Sequence, residues 1–307
     1  MTTHASSLAA FLRSCRERLK PETVGLTSQG RRRTPGLRRG ELATLADLSV
    51  EYVERLEQGR DTNPSGAVLT ALADALRLSS DEKRHLALLA MRQHSAMLLP
   101  APPPVGDDPR PGVRDLLDRL DPTPACLLGP VYDVVAWNRA GETVARQLGV
   151  LDTDPPNLTR YHFLHPMARR IFDDASWAET ADEVVGWLRA AEPDWGSDDA
   201  FRALLDDVHA VPEFASRWAA HTVASRRPAG KRFWHPRAGH LNIRLEILFV
   251  GEASHWIQLW LPSDKGTAAA FDALLRTQAS PTLRTQASPT PPGPDGALAR
   301  GNEAHRL

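Results

Sequence analysis

A proline-rich segment divides this chain of 307 residues into two parts. Residues 99–112 contain six prolines and show no periodic apolar pattern. Proline fixes its own φ and has no amide hydrogen, so a segment of this kind forms an extended, semi-rigid linker rather than a helix or a central strand. A chain of this length has room for about two domains of ordinary size. We therefore predict domains at 1–98 and 113–275, joined by the linker 99–112.

The two parts differ in charge and in aromatic content, although the whole chain carries a net charge of only −1. Residues 1–99 carry a net charge of +4, and residues 10–40 alone carry +7, whereas residues 100–307 carry −5. All eight tryptophans follow residue 130. The chain therefore combines a basic part and a tryptophan-rich, acidic part with different chemistry.

Composition excludes several classes of protein. A hydrophobic content of 42% and a charged content of 24% are typical of a folded domain rather than a disordered chain. The two cysteines, Cys15 and Cys126, share no close spacing, which argues against a disulfide scaffold and favours a reducing compartment. No apolar run reaches the roughly 18–20 residues that a membrane span needs, and the N-terminus lacks a signal-peptide core. We expect a cytoplasmic protein that does not bind a membrane.

Residues 8–95 follow helical spacing almost throughout. A polar, arginine-containing loop over 21–36 interrupts this spacing. Asn63-Pro64 is typical of a helix start, and Ser79 with Glu82 three residues later has the pattern of a capping box. We predict five short helices, the first of which buries one stripe of apolar residues at helical intervals: Leu8, Phe11, Leu12, Cys15 and Leu19.

The segment Arg38–Arg60, RRGELATLADLSVEYVERLEQGR, has the pattern of two helices joined by a turn of three or four residues. Asp47 occupies the turn position that needs a left-handed backbone, which Asp tolerates better than most residues other than glycine. Ser49 is a suitable N-cap for the second helix. The spacing directs Val53 and Leu56 inward and leaves an outer face of Val50, Glu51, Glu54 and Arg55.

The C-terminal part mixes strands and helices. Short apolar runs at 125–128 and 131–137 flank Gly129-Pro130, which is a hairpin signal. Helical spacing extends from residue 139 to about residue 221, and strands with period-two alternation return from residue 231 onward. Two early strands, a helical middle and about three late strands predict an α+β domain built on an antiparallel sheet.

The C-terminal tail contains a short tandem duplication. LRTQASPT occurs at 275–282 and again at 283–290, and polar sequence rich in proline and glycine follows. Two polar copies are too few to build a repeat fold. We predict a disordered tail over 276–307, to which we assign no function.

The residues of the two-helix segment resemble a known family. They are similar to the Cro and phage-repressor type of helix-turn-helix, the xenobiotic-response-element (XRE) family. The ending LEQGR and the basic lead-in RRRTPGLRRGELA resemble more specifically the MmyB-like transcription regulators. The similarity continues at VYDVVAWNRAG (131–141), NLTRYHFLHPMARR (157–170), VPEFASRWAAHTV (211–223) and KRFWHPRAGHLNI (231–243).

This resemblance covers the chain from about residue 8 to 275. It implies an all-α, five-helix DNA-binding domain followed by an α+β PAS-like ligand-binding domain with an antiparallel sheet. A regulator of this kind would bind double-stranded operator DNA as a homodimer that reads two half-sites about 34 Å apart.

The resemblance also implies roles for individual residues. Bases would be contacted by Ser49, Val50, Glu51 and Arg55. Arg55 suits guanine through a bidentate fork, Glu51 suits the amino group of cytosine, and Val50 suits only a thymine methyl or packing. Arg16 and Glu57 would form a mostly buried salt bridge that supports the fold. Phosphates would be contacted by Arg31, Arg32, Arg33, Arg38, Arg39 and Arg60.

Tryptophan-rich α+β domains commonly enclose an apolar cavity. The polar residues that interrupt the aromatic stretches are candidates for orienting a ligand, although Asn138 is equally explained as a turn cap and the aromatic residues as ordinary core. The resemblance is consistent with a small, largely apolar effector, such as a fatty acid, as the ligand. The candidate pocket residues are Trp137, Asn138, Phe172, Trp218, His221 and His235.

Other functions are weaker interpretations of the sequence. His162 and His165 are three residues apart and His235 and His240 five apart, but no carboxylate or cysteine completes a metal site nearby. No nucleotide-binding or nucleophile-elbow motif is present, so we assign no catalytic residue and no metal. Two alternatives stay open: an adaptor whose C-terminal domain binds a protein through exposed tryptophans, and a DNA-tethered enzyme that acts in the cavity.

Overall fold

The computed structural model describes residues 5–26, 36–61, 63–95, 109–224, 229–250 and 255–276. Within these ranges an N-terminal group of helices precedes a C-terminal part in which helices pack on a five-stranded antiparallel sheet. This is the fold class that the sequence predicts. The arginine run Arg31–Arg33, most of the linker and nearly all of the tail lie outside the described residues.

The N-terminal part contains the five predicted helices, with one turn of 3-10 helix at Pro21–Val24 between the first two. The helix start predicted at Asn63-Pro64 lies slightly later, because the hydroxyl of Ser65 accepts a hydrogen bond from the amide of Val68 at 3.3 Å and thereby caps the helix. The helices are α1 (Ala5–Arg18), α2 (Arg39–Leu45), α3 (Val50–Glu57), α4 (Gly66–Ala75) and α5 (Ser80–Ser95).

One hydrophobic core holds these helices together. The apolar stripe of α1 contributes Leu8, Phe11 and Leu12, each almost fully buried. It packs against Leu56 of α3 and Leu86 of α5. Burial of such side chains stabilises the fold by about 1.5–3 kcal/mol each, so this core fixes the position of α3 relative to α1.

The C-terminal part is longer and contains both helices and strands. Its first helix begins at Pro111, within the last two residues of the predicted linker. Among the helices of the described ranges, none combines the length and the apolar character that a membrane span requires. The helices are α6 (Pro111–Arg119), α7 (Arg139–Gln147), α8 (Leu158–Leu164), α9 (Pro166–Ile171), α10 (Asp174–Trp195), α11 (Asp199–His209), α12 (Pro212–Ala219) and α13 (Lys265–Arg276). The strands are β1 (Ala125–Leu128), β2 (Val134–Trp137), β3 (Ala229–His235), β4 (Gly239–Val250) and β5 (His255–Pro262).

The sheet has the strand order β2-β1-β5-β4-β3, and every neighbouring pair is antiparallel. Alternate residues point to opposite faces of a strand. Trp256 of β5 therefore faces α10, where it packs near Trp187, while Ile257 faces the opposite side and packs with Leu117 of α6. Helices thus cover both sides of the central strands.

The two parts of the chain contact one another directly. Arg92 of α5 forms an ion pair with Asp194 of α10. The hydroxyl of Ser14 donates a hydrogen bond to the carbonyl of Ala220 at 2.8 Å. Val223, which lies just after α12, is buried within the core cluster of the N-terminal helices.

Candidate nucleic-acid interface and ligand cavity

The turn between α2 and α3 has the geometry that its sequence predicts. Asp47 adopts a left-handed backbone with φ of 53°. The amide of Leu48 then donates to the carbonyl of Ala43 at 2.9 Å, which ends α2. The hydroxyl of Ser49 accepts a hydrogen bond from the amide of Tyr52 at 3.1 Å, which starts α3. These bonds set the angle between the two helices.

The outer face of α3 is open to solvent. Val50 is 45% exposed, and Glu51 and Arg55 are exposed beside it. The guanidinium of Arg55 lies 5.2 Å from the centre of the Tyr52 ring and 3.8 Å from the carboxylate of Asp61. Its side chain keeps more than half of its surface in solvent. The four predicted base-contacting residues therefore lie close together: Ser49 ends the exposed turn before α3, and the other three lie on the exposed face of that helix.

A buried carboxylate holds the inner side of α3. Glu57 is 1% exposed, and its Oε1 accepts from Nε of Arg16 at 2.5 Å while its Oε2 accepts from Nη2 of Arg16 at 3.1 Å. Arg39 donates to Oε2 of the same carboxylate at 2.8 Å. Arg16 also donates to the carbonyl of Leu37 at 2.7 Å. The predicted pair is thus brought together, and Arg39 joins it as a third member.

The predicted phosphate-contacting residues are placed differently from one another. Arg38 precedes α2, and its amide donates to the carboxylate of Glu41 at 2.7 Å while its side chain is exposed. Arg60 is exposed just beyond α3. Arg39 is held by Glu57, although its side chain remains 40% exposed. The run Arg31–Arg33 lies outside the described residues.

A cavity of about 140 Å³ lies in the C-terminal part, between α10, α8 and the inner face of the sheet. Its walls are predominantly apolar and come from several elements. Among the residues that line it are Leu158, Ile171, Phe172, Val184, Phe233 and Trp260.

Lys231 and Glu183 bring charge into this apolar wall. The pattern of β3 alternates, so Lys231 points to the same inner face as Phe233 and is almost fully buried. Its Nζ lies 2.8 Å from Oε2 of Glu183 on α10. The Thr180 hydroxyl and the Trp260 indole, also in the wall, find no hydrogen-bond partner among the described residues. The cavity therefore offers an ion pair and two unused polar groups to an otherwise apolar occupant.

His162 is the cavity's histidine, and it is held neutral. Its ring stacks on Trp177 with centroids 4.7 Å apart, and its Nε2 lies 3.1 Å from the carbonyl of Trp177. Burial lowers the pKa of His162 to about 4. His165, three residues later, accepts from the amide of Met167 at 3.3 Å and caps α9. Within the described ranges no group of three or more histidine, cysteine or carboxylate side chains could hold a metal ion.

Of the six residues predicted to line the pocket, Phe172 lines this cavity and the other five lie elsewhere. Asn138 caps α7: its Oδ1 accepts from the amides of Ala125 and Gly141, and its Nδ2 donates to the carbonyl of Thr123. Trp137 contributes to the surrounding core. The turn cap, the alternative explanation of Asn138, is therefore the correct one.

The remaining predicted pocket residues lie outside the cavity wall for identifiable reasons. Trp218 is covered by the guanidinium of Arg189, 3.6 Å from its ring centre. His221 has a left-handed backbone with φ of 51° where the chain leaves α12. His235 ends β3, where its Nδ1 accepts from the amide of Arg237 at 3.2 Å. Lys231 was not among the predicted pocket residues, although a lysine at an inward position of the strand KRFWH is a signal that the sequence itself contains.

Comparison with known families agrees with both parts of this architecture. Residues 7–86 match the family model described as a helix-turn-helix domain. Residues 109–274 match the model described as the MmyB-like transcription regulator ligand binding domain. No curated protein matches the chain. Because the second match spans more than half of the chain, the protein belongs to the MmyB-like transcription regulator family, and it carries a helix-turn-helix domain ahead of the ligand-binding domain.

Proposed function

We propose that this protein binds operator DNA in a sequence-specific manner, as a homodimer, and that a small, largely apolar molecule in the cavity modulates its affinity for the operator. The exposed face of α3 carries the DNA-binding part of the proposal. The apolar cavity with its Lys231–Glu183 ion pair supports the ligand-binding part.

The surface of α3 suits the major groove. An α-helix fits that groove and contacts base edges with the residues near its N-terminus. Val50 and Glu51 stand in that first turn, and Arg55 follows one turn later on the same exposed side. The buried Glu57 and Leu56 fix the helix from behind, so these side chains are presented on a rigid element.

The remaining arginines suit the phosphate backbone. Arg38 and Arg60 flank the two-helix segment and keep their side chains in solvent. Contacts of this kind position a protein on DNA without reading its sequence. A homodimer would place two α3 helices in successive major grooves about 34 Å apart.

The cavity suits an amphiphile with one acidic head. Its apolar walls match a hydrocarbon chain, and Lys231 supplies a buried cation for a carboxylate. A ligand carboxylate would replace the Glu183 carboxylate as the partner of Lys231, so the lysine would remain paired after binding. A fatty acid has this chemistry.

The test measures the dissociation constant of the full chain for a DNA duplex enriched from a random pool, with and without decanoate. We expect decanoate to change the affinity by about 5-fold or more. Methyl decanoate, which has no charge, and the variant Lys231→Met should both abolish the change while DNA binding itself persists. An affinity that decanoate leaves unchanged in the wild-type protein would contradict the ligand-binding part.

The adaptor alternative receives little support from the tryptophans. All eight lie within the described residues, and Trp234, at 37%, is the only one that is exposed. Trp256 and Trp177 are buried in the core. The C-terminal part, as far as it is described, therefore has no protein-binding face built from exposed tryptophans.

A further inference from the structure

One helix, α10, lies both in the wall of the cavity and in the contact between the two parts of the chain. Its first half supplies Thr180, Glu183 and Val184 to the cavity, and its second half supplies Asp194 to the contact with α5. We propose that α10 transmits the occupancy of the cavity to the helix-turn-helix domain through this contact. The inference rests on the proposed function and names the route of its regulation.

At the cavity end, one ion pair ties α10 to the sheet. Glu183 of α10 and Lys231 of β3 are the two partners, and the lysine side chain is 5% exposed. A buried lysine needs a counter-charge, so the carboxylate of an acidic ligand that binds Lys231 competes with Glu183 for the same ammonium group. Ligand binding therefore weakens the ion pair between α10 and β3, and the Glu183 carboxylate, whose side chain is 43% exposed, can be solvated when it is released.

At the other end, α10 is attached to the DNA-binding part by an ion pair and by packing. Asp194 pairs with Arg92 of α5, whose side chain is only 17% exposed. Ala190 packs against the core cluster of the N-terminal helices. Glu183 and Asp194 are separated by about 16 Å along the helix axis, at a rise of about 1.5 Å per residue. A shift of α10 at the cavity therefore reaches α5 along one continuous helix, in which Pro193 removes a single backbone hydrogen bond just before Asp194.

A second contact of α10 runs through Gly186 to residues 223–224, which follow α12. The amide of Ala224 donates to the carbonyl of Gly186 at 3.1 Å. A Cβ at position 186 would lie 2.8 Å from the Cβ of Ala224, so glycine is what permits this approach. The neighbouring Val223 is buried among the N-terminal helices. Residues 223–224 thus contact α10 on one side and the core of the DNA-binding domain on the other.

Arg189 of α10 holds the end of α12, which lies just before these residues. Its guanidinium is buried, donates to the carbonyl of Trp218 at 2.5 Å and to Glu192 at 2.8 Å, and stacks on the Trp218 ring. Two residues after Trp218, the carbonyl of Ala220 accepts from Ser14 of α1. The contacts from the cavity to α1 and α5 are therefore continuous, which is the physical requirement for a coupling route.

The consequence for DNA binding is geometric. A dimer reads two half-sites only when its two α3 helices have the right separation. The contact between α10 and α5 sets where each DNA-binding domain stands on its ligand-binding domain. A ligand that binds one position of α10 more tightly than the other shifts the population of the DNA-competent arrangement. The size of the shift is set by the difference between its affinities for the two positions.

The first test exchanges the charges of the inter-domain pair. The measured quantity is the ratio of the dissociation constants for the enriched duplex with and without saturating decanoate. We expect a ratio of about 5 or more for the wild-type protein, a clearly smaller ratio for Arg92→Asp and for Asp194→Arg, in which the contacts through Gly186 and Arg189 remain, and recovery of the wild-type ratio in the double exchange. Single variants that keep the wild-type ratio would overturn the proposal.

The exposed pair Lys83–Asp74, which lies wholly within the DNA-binding part, provides the matched control. Exchange of these two charges should leave the ratio unchanged. Thermal unfolding of each variant establishes that it is folded, and recovery in the double exchange shows that the single variants lost the contact rather than the fold.

A second test needs no ligand and separates this inference from the proposed function. Glu183→Gln weakens the ion pair with Lys231 and should change the affinity for the duplex severalfold in the wild-type background and by clearly less in the Asp194→Arg background. Equal changes in both backgrounds would overturn the route through α10. If decanoate does not change the affinity of the wild-type protein for the duplex, that result would instead contradict the proposed ligand, whatever the result of this test.

Discussion

Arg16 and Glu57 connect the first and third helices through a bidentate ion pair, with Nε of Arg16 2.5 Å from Oε1 of Glu57 and both side chains buried. Arg39 donates to the same carboxylate from the start of α2. One buried carboxylate therefore fixes three helices of the DNA-binding domain. This arrangement keeps the inner side of α3 in place while its outer side stays exposed.

Loss of that carboxylate should destabilise the DNA-binding domain strongly. Glu57→Ala leaves the buried guanidinium of Arg16 without its main partner, which costs on the order of 3–5 kcal/mol. Calorimetry of the full chain should show a lower melting temperature for the transition that belongs to the N-terminal helices. Glu17→Ala is the matched control because Glu17 also lies near Arg16, at 3.2 Å, but is 52% exposed. Its effect should be below about 1 kcal/mol, and equal effects would contradict the buried pair.

A glycine before α2 should be indispensable for packing. A Cβ at Gly36 would lie 2.0 Å from the carbonyl oxygen of Glu17, a backbone atom that cannot swing aside. Gly36→Ala should therefore separate the 36–37 segment from α1 and weaken the bond from the Leu37 amide to the Arg16 carbonyl. We expect a loss of about 1–3 kcal/mol in the free energy of unfolding. Gly40→Ala, with nothing within 4 Å, should cost nothing or stabilise α2 slightly.

Removal of the Arg55 guanidinium should affect specificity. Arg55→Ala should weaken binding to the enriched duplex by about 1–3 kcal/mol and relax the preference at one base position. Arg84→Ala removes an exposed arginine from α5, in the cleft that α5 forms with α10, and serves as the control. Binding-site selection with each variant gives the readout. An unaltered base preference in Arg55→Ala would argue against base contact by this residue.

Arg60 should contribute to affinity without contributing to specificity. If its exposed guanidinium contacts a phosphate, Arg60→Ala should weaken binding to all duplexes alike and reduce the slope of log affinity against log salt by about one. A salt titration of the variant and the wild-type protein measures that slope. A slope that does not change would exclude the phosphate contact.

Acid should destabilise the fold through its buried histidines. Burial, with smaller contributions from Arg189 and His221, lowers the pKa of His85 to about 3, and burial lowers that of His162 to about 4. The unfolded chain, with histidine pKa values near 6.5, therefore binds more protons than the folded chain between these values. Stability is complete above about pH 6.5 and falls as the pH decreases toward 4, by up to about 1.4 kcal/mol per pH unit for each histidine.

The variant His85→Leu isolates one of these contributions. Its free energy of unfolding should depend less steeply on pH between about 4 and 6.5 than that of the wild-type protein. Denaturant unfolding at a series of pH values provides the comparison. Identical pH profiles would show that His85 is not held neutral in the folded protein.

The DNA-binding part was largely predictable from sequence because its signals are local. Asp47 in the left-handed turn, the Ser49 cap and the buried Val53 and Leu56 all follow from spacing within one short segment. The helix start near Asn63 was misplaced by two residues because Ser65, a second good cap, follows it directly.

The cavity was not predictable in the same way because distant segments form it. Lys231 lies on β3 and Glu183 on α10, and only the packing of that helix on the sheet brings them to 2.8 Å. Asn138 had the expected polar character but is consumed by three hydrogen bonds as a helix cap. Residue type alone does not distinguish a cap from a ligand-binding side chain.

Selection of DNA duplexes from a random pool by the purified full chain, at moderate salt, tests the central claim most directly. We expect enrichment of a two-fold symmetric site with half-sites about 34 Å apart, and a change in its affinity when decanoate is added. Failure to enrich any sequence would contradict the reading of bases by α3, and the basic surface would then have a non-specific or protein-binding role.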